Sequence, residues 1–401
     1  MAEEMSGSRA QKAVNTGRTD KATAELAREL SRRAAELEPR MVRQLRELVE
    51  TESPSSNKRG VDAAGALVAE WSAKLGGKVK VHRFRDSGNS LEVRFGHGRR
   101  GAAPVMLLGH VDTVWEIGTL RQMPWKMDEE RIAGPGVLDM KAGVMMMLGA
   151  VEMLGEMGEA RAVTMLLHGD EEVGSPASRP LTESLARQCR AVYVLEPAQG
   201  PAGAYKTARK GVGNYQLTVH GVAAHSGVDF DAGHSAVIEL AHQVLAIADL
   251  TDRKRGLTVN PGVTSGGTRS NVVAAEATVE IDVRVAQARD AARIDRALRR
   301  LRPHDKACRL ELEGGLNRPP MERTHGTVAL FRRAQRLAAE IGFVLEEAAT
   351  GGGSDGNFTS ALGVATLDGM GATGAGAHAP HEHLLRKDLA DRTALLAAML
   401  T

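Results

Sequence analysis

Residues 164–175 pass from a short apolar run into Gly169 and then into three consecutive acids, Asp170, Glu171 and Glu172. Apolar runs of this length are typical of buried strands, and the loops that leave such strands carry the chemistry of many α/β proteins. Three neighbouring carboxylates repel one another. The acids therefore form either a solvated turn or one side of a cation site, where a bound cation supplies the missing positive charge.

Similar apolar runs recur in the first half of the chain and alternate with helical patterns. Strand-like runs lie at 79–84, 91–95, 105–108, 163–167 and 191–195. Helical patterns lie at 20–50, with a break expected at Pro39, at 61–75 and at 140–157. Strands and helices that alternate at this spacing predict a mostly parallel sheet with helices on both faces.

The pattern changes near residue 206, where strands of alternating polarity and two amphipathic helices predict a smaller α+β domain. The α/β pattern returns after residue 317. The predicted fold class is therefore α/β, with a catalytic domain at 21–206 and 318–401 and an inserted α+β lid and dimerisation domain at 207–317. Residues 1–20, which are polar and charged, are expected to form a disordered tail.

Composition limits the partners of the chain. The formal net charge is +2, and 42% of the residues are hydrophobic, so neither nucleic acid nor an anionic membrane surface is an expected partner. We find no apolar run long enough to span a bilayer and no signal-peptide pattern, so the expected location is the cytoplasm. The two cysteines, Cys189 and Cys308, are far apart. Any metal must then be held by His, Asp and Glu.

Four further segments carry candidate ligands. His110 and Asp112 follow the run at 105–108, Asp139 begins a helical pattern, and Glu196 follows the run at 191–195. Three histidines lie in a small-residue loop at 374–383. Taken one at a time, these are better explained as loop residues, a helix N-cap or surface acids. Together they form a set of imidazoles and carboxylates at the carboxyl ends of successive strands, which suits zinc, cobalt or manganese in a hydrolytic site.

The residues of these segments and their order along the chain resemble the motifs of the co-catalytic zinc metallopeptidases. This family includes bacterial glutamate carboxypeptidase, succinyl-diaminopimelate desuccinylase and aminoacylase-1. The shared motifs cover residues 105 to 385 in the family's order. They are GHVDTV, GPGVLDMKAG, DEEVGS, LEPA, AAHSG, SNVV…DVR, GGGSD and GAH…E.

The resemblance implies two zinc ions per subunit, with cobalt or manganese as possible substitutes. Asp139 would bridge the two ions. His110 and Glu196 would complete the shell of one ion, and Glu172 and His378 would complete the shell of the other.

The resemblance also implies two roles beside the metal ligands. Glu171 would be the general base and later the general acid, and Asp112 would orient the ring of His110. A cis peptide bond between Asp139 and Met140 is expected as well.

In the lid domain, the resemblance implies a substrate-binding set. His225 would reach the active site of a partner subunit and help to hold the scissile carbonyl. Arg284 and Asn271 would bind a free α-carboxylate of the substrate, and Arg318 and Gly352 would line the same pocket. A homodimer formed through the lid domain is expected, with the strand at 212–220 and the following helix as its contact.

The predicted activity is that of a glutamate-carboxypeptidase-like exopeptidase. It would hydrolyse an amide bond of a small molecule or short peptide and release a C-terminal amino acid, glutamate in the first instance. The alternatives are an N-acyl-amino-acid deacylase, a dipeptidase, or a non-catalytic metal-dependent binding protein. One departure weakens the case for glutamate, because Ala204 stands where the glutamate carboxypeptidases have a lysine, with Lys206, Arg209 and Lys210 nearby.

Overall fold

The structure of the chain is a computed structural model that describes residues 22–96 and 103–401; the bounds of the first helix start at Ala2, but only its part from residue 22 onward is described. The disordered tail expected at 1–20 lies outside these residues and stays a prediction. In chain order, the helices are α1 (Ala2–Glu50), α2 (Lys58–Lys74), α3 (Ala142–Glu156), α4 (Arg179–Ala186), α5 (Ala236–Ala248), α6 (Ala288–Arg299), α7 (His325–Ile341), α8 (Gly356–Ala361) and α9 (Lys387–Leu400).

The strands are short in the first and last parts of the chain and longer in the middle. In chain order, they are β1 (Lys78–His82), β2 (Ser90–Phe95), β3 (Val105–His110), β4 (Lys126–Met127), β5 (Arg131–Ala133), β6 (Val163–His168), β7 (Ala191–Val194), β8 (Tyr205–Arg209), β9 (Gly211–His220), β10 (Thr258–Gly266), β11 (Glu276–Val285), β12 (Arg309–Arg318), β13 (Glu347–Thr350), β14 (Thr366–Leu367), β15 (Gly374–Ala375) and β16 (His383–Leu385).

The chain divides into two compact units. The first unit contains residues up to 207 together with 323–348 and 362–401, and the second contains 208–322 and 349–361. The catalytic and lid assignments, with their boundaries at 206/207 and 317/318, stay predictions.

The first unit is built on a six-stranded sheet in the order β1-β2-β6-β3-β7-β14. Strands β6, β3, β7 and β14 are parallel, and β2 and β1 extend the sheet antiparallel at one edge. Successive residues of β3 enter different apolar clusters, Leu107 on one face and Met106 and Leu108 on the other. Because both faces are buried, this is the helix-covered, mostly parallel sheet that the sequence predicts.

Helix α1 corrects one expectation, because it runs through Pro39 without a break. Leu30 and Ala34 before the proline and Leu45 and Leu48 after it all lie in the core of the first unit. A proline inside a helix costs about 3 kcal/mol, whereas each fully buried leucine stabilises by about 1.5–3 kcal/mol. Packing on both sides of Pro39 therefore outweighs its local cost.

The second unit contains a four-stranded sheet in the order β10-β11-β9-β12, in which every pairing is antiparallel. Alternate residues of β9 and β11, such as Leu217 and Val279, join side chains of α5 and α6 in a separate core. Two helices against an antiparallel sheet is the α+β architecture expected from the sequence.

Candidate active site

The candidate ligands of the first unit are placed by the ends of its parallel strands. His110 is the last residue of β3, Glu171 and Glu172 follow β6, and Glu196 follows β7. Carboxyl ends of parallel strands share one edge of a sheet, which is the usual position of an α/β active site.

Asp139 stands between two imidazoles. Its Oδ1 lies 3.4 Å from Nε2 of His110, and its Oδ2 lies 3.3 Å from Nε2 of His378. Nε2 of His110 is also 3.5 Å from Oε1 of Glu196, and Nε2 of His378 is 3.2 Å from Oε2 of Glu172. The structure thus brings together all five side chains that the resemblance names as metal ligands, in two groups that share Asp139.

Glu171 lies beside the first of these groups. Its Oε2 is 4.0 Å from Nε2 of His110, and its side chain is 11% exposed. Ligand atoms of His110, Glu171 and Glu196 all lie within 4.8 Å of one another, as do those of His110, Asp139 and Glu172. These distances are compatible with two roles for Glu171, a general base that accepts a proton or a ligand of a metal ion.

Several polar atoms of this cluster lack hydrogen bonds. Within the described residues, Nε2 of His110, Oδ1 of Asp139 and Oε1 of Glu172 are buried without a hydrogen-bond partner. Buried polar atoms rarely lack hydrogen bonds, and these three residues each place a ligand atom within 4.8 Å of the others. Imidazole and carboxylate donors without a thiolate suit zinc, cobalt or manganese, so the residues present fit a two-metal centre.

The pKa shifts of His110 and Asp139 also agree with a bound cation at this cluster. Burial disfavours the charged ring of His110, but the neighbouring carboxylates of Asp112, Asp139 and Glu196 outweigh it and raise the pKa of His110 well above its usual value. Burial disfavours ionised Asp139 as well, yet the two imidazoles hold the pKa of Asp139 far below its usual value. The acids therefore draw positive charge into the site, which a bound cation would supply.

Asp112 is fully buried behind the cluster. Nδ1 of His110 lies 3.0 Å from the main-chain oxygen of Asp112 and 3.4 Å from its carboxylate. The carboxylate accepts the backbone N–H groups of Glu171 at 3.2 Å and Glu172 at 3.1 Å, and the hydroxyl of Ser55 at 2.6 Å. The main chain of Asp112 thus contacts the His110 ring, while its side chain fixes the start of the Glu171 loop.

The segment that carries Asp139 is irregular. Asp139 (φ −112°, ψ 97°) and Met140 (φ −128°, ψ 38°) both depart from helical geometry within this turn. The Asp139–Met140 peptide bond is cis, as the resemblance implies. Lys141, which is buried, donates from Nζ to the carbonyls of Leu48 and Thr51 at 3.0 Å each. The segment is therefore tied to the C-terminal end of α1.

Sequence reasoning missed three residues around this site: Ser55, Lys141 and Glu382. Each contributes through hydrogen bonds to groups distant in sequence, so no local pattern assigns it this role. Glu382 had a signal, because it is the final residue of the GAH…E motif, but the motif by itself assigns it no role.

In the second unit, the structure places two predicted substrate residues next to each other. The backbone N–H of Ser226 donates to the carbonyl of Asn271 at 3.1 Å. His225, the neighbour of Ser226, is exposed, and its Nδ1 accepts the N–H of Gly227 at 3.1 Å. The two predicted side chains therefore belong to one exposed part of that unit.

Arg284 and Arg318 differ in their surroundings. Arg284 donates through Nε and Nη2 to Asp282, at 2.9 and 2.8 Å, and is about one-third exposed. Arg318 is buried, donates to Asp355 at 2.5 Å and lies over the ring of Phe358. Arg284 is the more accessible of the two to a substrate carboxylate.

The predicted pocket residue Gly352 and the basic residue Arg209 both belong to the second unit and contact each other. The carbonyls of Gly352 and Gly353 accept hydrogen bonds from Arg209, at 3.3 and 3.1 Å. Ala204, Lys206 and Arg209 are all buried.

An α/β unit with imidazoles and carboxylates at its strand ends is typical of metal-dependent hydrolases. The chain belongs to peptidase family M20/M25/M40, whose sequence pattern matches residues 106–401. It is therefore an enzyme that hydrolyses amide or peptide bonds, in a metal-dependent family.

Similar proteins span most of the chain. Carboxypeptidase G2 of Pseudomonas sp. (strain RS-16) is 27% identical over 380 residues, 92% of this chain and 90% of that protein. A succinyl-diaminopimelate desuccinylase of Parvibaculum lavamentivorans is 27% identical over 263 residues, 59% of this chain and 65% of that protein. The structure of aminopeptidase PepT from Bacillus cereus ATCC 10987 matches with a TM-score of 0.75 at 21% identity, over 90% of this chain and 98% of that one. This last likeness shows a shared fold.

Among the described residues, none of the helices combines the length and the hydropathy needed to cross a bilayer.

Proposed function

We propose that this enzyme is a dizinc exopeptidase that cleaves the amide bond before a C-terminal amino acid with a free α-carboxylate. The observation that carries the proposal is the position of Asp139, whose two carboxylate oxygens each face a different imidazole at 3.3–3.4 Å. His110 and Glu196 would hold one ion, Glu172 and His378 would hold the other, and Asp139 would bind both. When bound, the zinc pair would lower the pKa of a water and polarise the scissile carbonyl.

Glu171 has the position of a general base. A carboxylate that moves a proton must lie within hydrogen-bond reach of the water and then of the leaving amine. Asp112 holds the backbone N–H of Glu171 at 3.2 Å, which fixes the start of its side chain. We propose that Oε2 of Glu171 accepts a proton from the attacking water and returns it to the leaving nitrogen.

The second unit would recognise the substrate. Arg284 is a partly exposed cation whose Nε and Nη2 contact Asp282, and we propose that it binds the substrate carboxylate with help from Asn271. His225 would hold the scissile carbonyl. Arg318 and Gly352 would shape the pocket, Arg318 through its contact with Asp355.

The identity of the released amino acid depends on residues near Ala204. The similarity to carboxypeptidase G2 and to a probable carboxypeptidase of Aspergillus terreus, 29% identical over 272 residues, supports release from the C-terminal end. Of the three basic residues near Ala204, Lys206 and Arg209 are buried, whereas Lys210 is half-buried. Glutamate therefore stays the first candidate for the released amino acid, and an N-acyl-amino-acid deacylase or dipeptidase that accepts other side chains is the alternative.

We also propose a homodimer formed through the second unit. The strand at 212–220 is β9, which lies between β11 and β12, so edge-to-edge pairing with a partner would not use this strand; the expected contact through β9 and the following helix stays a prediction. Strand β10 is at the edge of that sheet and carries exposed Val263, and α5 exposes Ile238 and Leu245. An edge strand with exposed apolar neighbours is suited to pairing with a second copy. The cytoplasmic location stays a prediction.

Product analysis tests the function. The zinc-saturated enzyme would be incubated with N-benzoyl-glutamate, N-benzoyl-leucine, N-acetyl-amino acids and dipeptides, and metal content would be measured on the same sample. We expect two zinc ions per chain and release of the C-terminal amino acid. Substrates with an α-carboxamide in place of the carboxylate are the matched control and should be poor substrates. A protein with two zinc ions that cleaves none of the free-carboxylate substrates would disprove the proposal.

A further inference from the structure

The carboxylate of Glu382 collects four hydrogen bonds from two other segments of the first unit. Its Oε2 accepts the indole N–H of Trp115 at 2.8 Å and the backbone N–H of Gly136 at 3.0 Å. Its Oε1 accepts the backbone N–H groups of Leu138 at 2.9 Å and Asp139 at 3.1 Å. The residue is 1% exposed.

These contacts join the segments that carry three of the proposed metal ligands. The backbone N–H of Asp139 donates a hydrogen bond to Glu382. Trp115 lies five residues after His110, and Glu382 itself lies four residues after His378. Two turns fix the spacing between His378 and Glu382, since Ala379 N–H donates to Gly376 and Glu382 N–H donates to Ala379.

The contacts also exclude a direct role for Glu382 in chemistry. A carboxylate offers about four acceptor positions, and each oxygen of Glu382 already accepts two N–H donors. No acceptor position is left for a metal ion or for a proton from a water. Backbone N–H groups that converge on one anion fix the conformation of the loop to which they belong.

We propose that Glu382 is a positioning residue that sets the relative placement of Asp139 and His378 and so prepares the metal centre. The proposal rests on the proposed two-metal function. A partner that holds metal ligands in place typically contributes 10- to 100-fold to metal affinity or activity.

Two variants and one control separate positioning from simple stability. Glu382→Gln keeps the shape but replaces one acceptor oxygen by an amide nitrogen, which faces N–H donors. Trp115→Phe is milder and removes one donor only. Glu239→Gln is the matched control, because Glu239 in the second unit is also buried and accepts the backbone N–H groups of His304 and Asp305 at 2.9 and 2.8 Å.

The experiment measures zinc affinity by chelator competition, the absorption spectrum of the cobalt-substituted protein, and kcat and KM separately. We expect Glu382→Gln to bind zinc about 10- to 100-fold more weakly, with an altered cobalt spectrum, a lower kcat and an unchanged KM. Trp115→Phe should change the same quantities by less. Glu239→Gln should keep the wild-type zinc affinity and cobalt spectrum.

Three results would overturn the inference. One is wild-type zinc affinity and an unchanged cobalt spectrum in Glu382→Gln. The second is an equal loss of affinity in Glu239→Gln, which would mean that any lost buried carboxylate has this effect. The third, decisive if Glu382→Gln does not fold, is wild-type zinc affinity in Trp115→Phe. If the wild-type enzyme itself fails to bind two zinc ions, the proposed function fails first and this inference fails with it.

Discussion

Nδ1 of His110 lies 3.0 Å from the main-chain oxygen of Asp112 and 3.4 Å from its carboxylate. The carboxylate instead accepts the N–H groups of Glu171 and Glu172. Asp112 therefore connects the end of β3 with the loop after β6. This contact links a proposed metal ligand to the proposed base.

Replacing Asp112 by Asn should lower activity strongly. The amide nitrogen of Asn would face the N–H groups of Glu171 or Glu172, and a buried donor without an acceptor is destabilising. We expect kcat/KM to fall by about 10- to 100-fold, as measured with the best substrate of the panel. Ser55→Ala removes the 2.6 Å hydroxyl contact alone and should cause a smaller fall. Wild-type kcat/KM in Asp112→Asn would contradict this role.

Replacing Glu171 by Gln should separate proton transfer from metal binding. If Glu171 is the base, turnover falls by about 10²-fold or more while the protein keeps two zinc ions per chain. The measurements are single-turnover kinetics and metal analysis of the same preparation. Since Glu171 lies within ligand distance of His110 and Glu196, loss of one ion in this variant would instead identify it as a ligand.

Zinc binding should release protons in the alkaline range. Hydrogen bonds with Asp139 and Glu172 raise the pKa of His378 to about 11 in the metal-free protein, although burial acts in the opposite direction. Protonated His378 thus stabilises the metal-free fold fully below its unfolded pKa of about 6.5, and this contribution is lost as pH rises through 11. Zinc needs the neutral ring, so its apparent affinity should rise with pH across this window.

Calorimetry in buffers of different ionisation enthalpy measures the protons released. We expect at least one proton per chain to be released at pH 8 as zinc binds, because the ring of His378 must then become neutral. Zinc binding at pH 8 with no proton release would show that His378 is already neutral in the metal-free protein.

Stability should depend on pH through Lys141. Burial lowers the pKa of Lys141 from 10.5 to about 7, although nearby carboxylates oppose the shift. A folded-state pKa below the unfolded one means that the unfolded chain binds more protons between these values. The cost of burying the lysine is therefore full below pH 7 and declines as pH rises toward 10.5.

Denaturant unfolding of wild type and Lys141→Met across this range measures that cost. The stability of the wild type relative to Lys141→Met should increase from pH 7 to pH 10, because methionine carries no titrating group. A constant difference between the two proteins over this range would show that Lys141 keeps its charge inside the fold.

The candidates for the proposed ligand set were predictable because their signals are local. A buried strand is recognised by its apolar run, and a polar residue at its carboxyl end is recognised by position, so His110, the Glu171/Glu172 pair and Glu196 were candidates from the sequence, and the family resemblance selected Glu172 as the ligand. That they meet follows from a parallel sheet, in which carboxyl ends share one edge. The short strands β4, β5, β15 and β16 went unpredicted, since two or three residues are too few to show a period.

The sequence by itself determined the fold class and the residue types gathered at the strand ends, because strand and helix periodicity and motif spacing are properties of the chain. Only the tertiary structure decided that α1 continues through Pro39, that Asp112 holds the amides of the Glu171 loop, and that Glu382 joins three segments. These outcomes depend on packing and hydrogen bonds between residues that are distant in sequence, and their energies exceed the local preferences that a sequence pattern records.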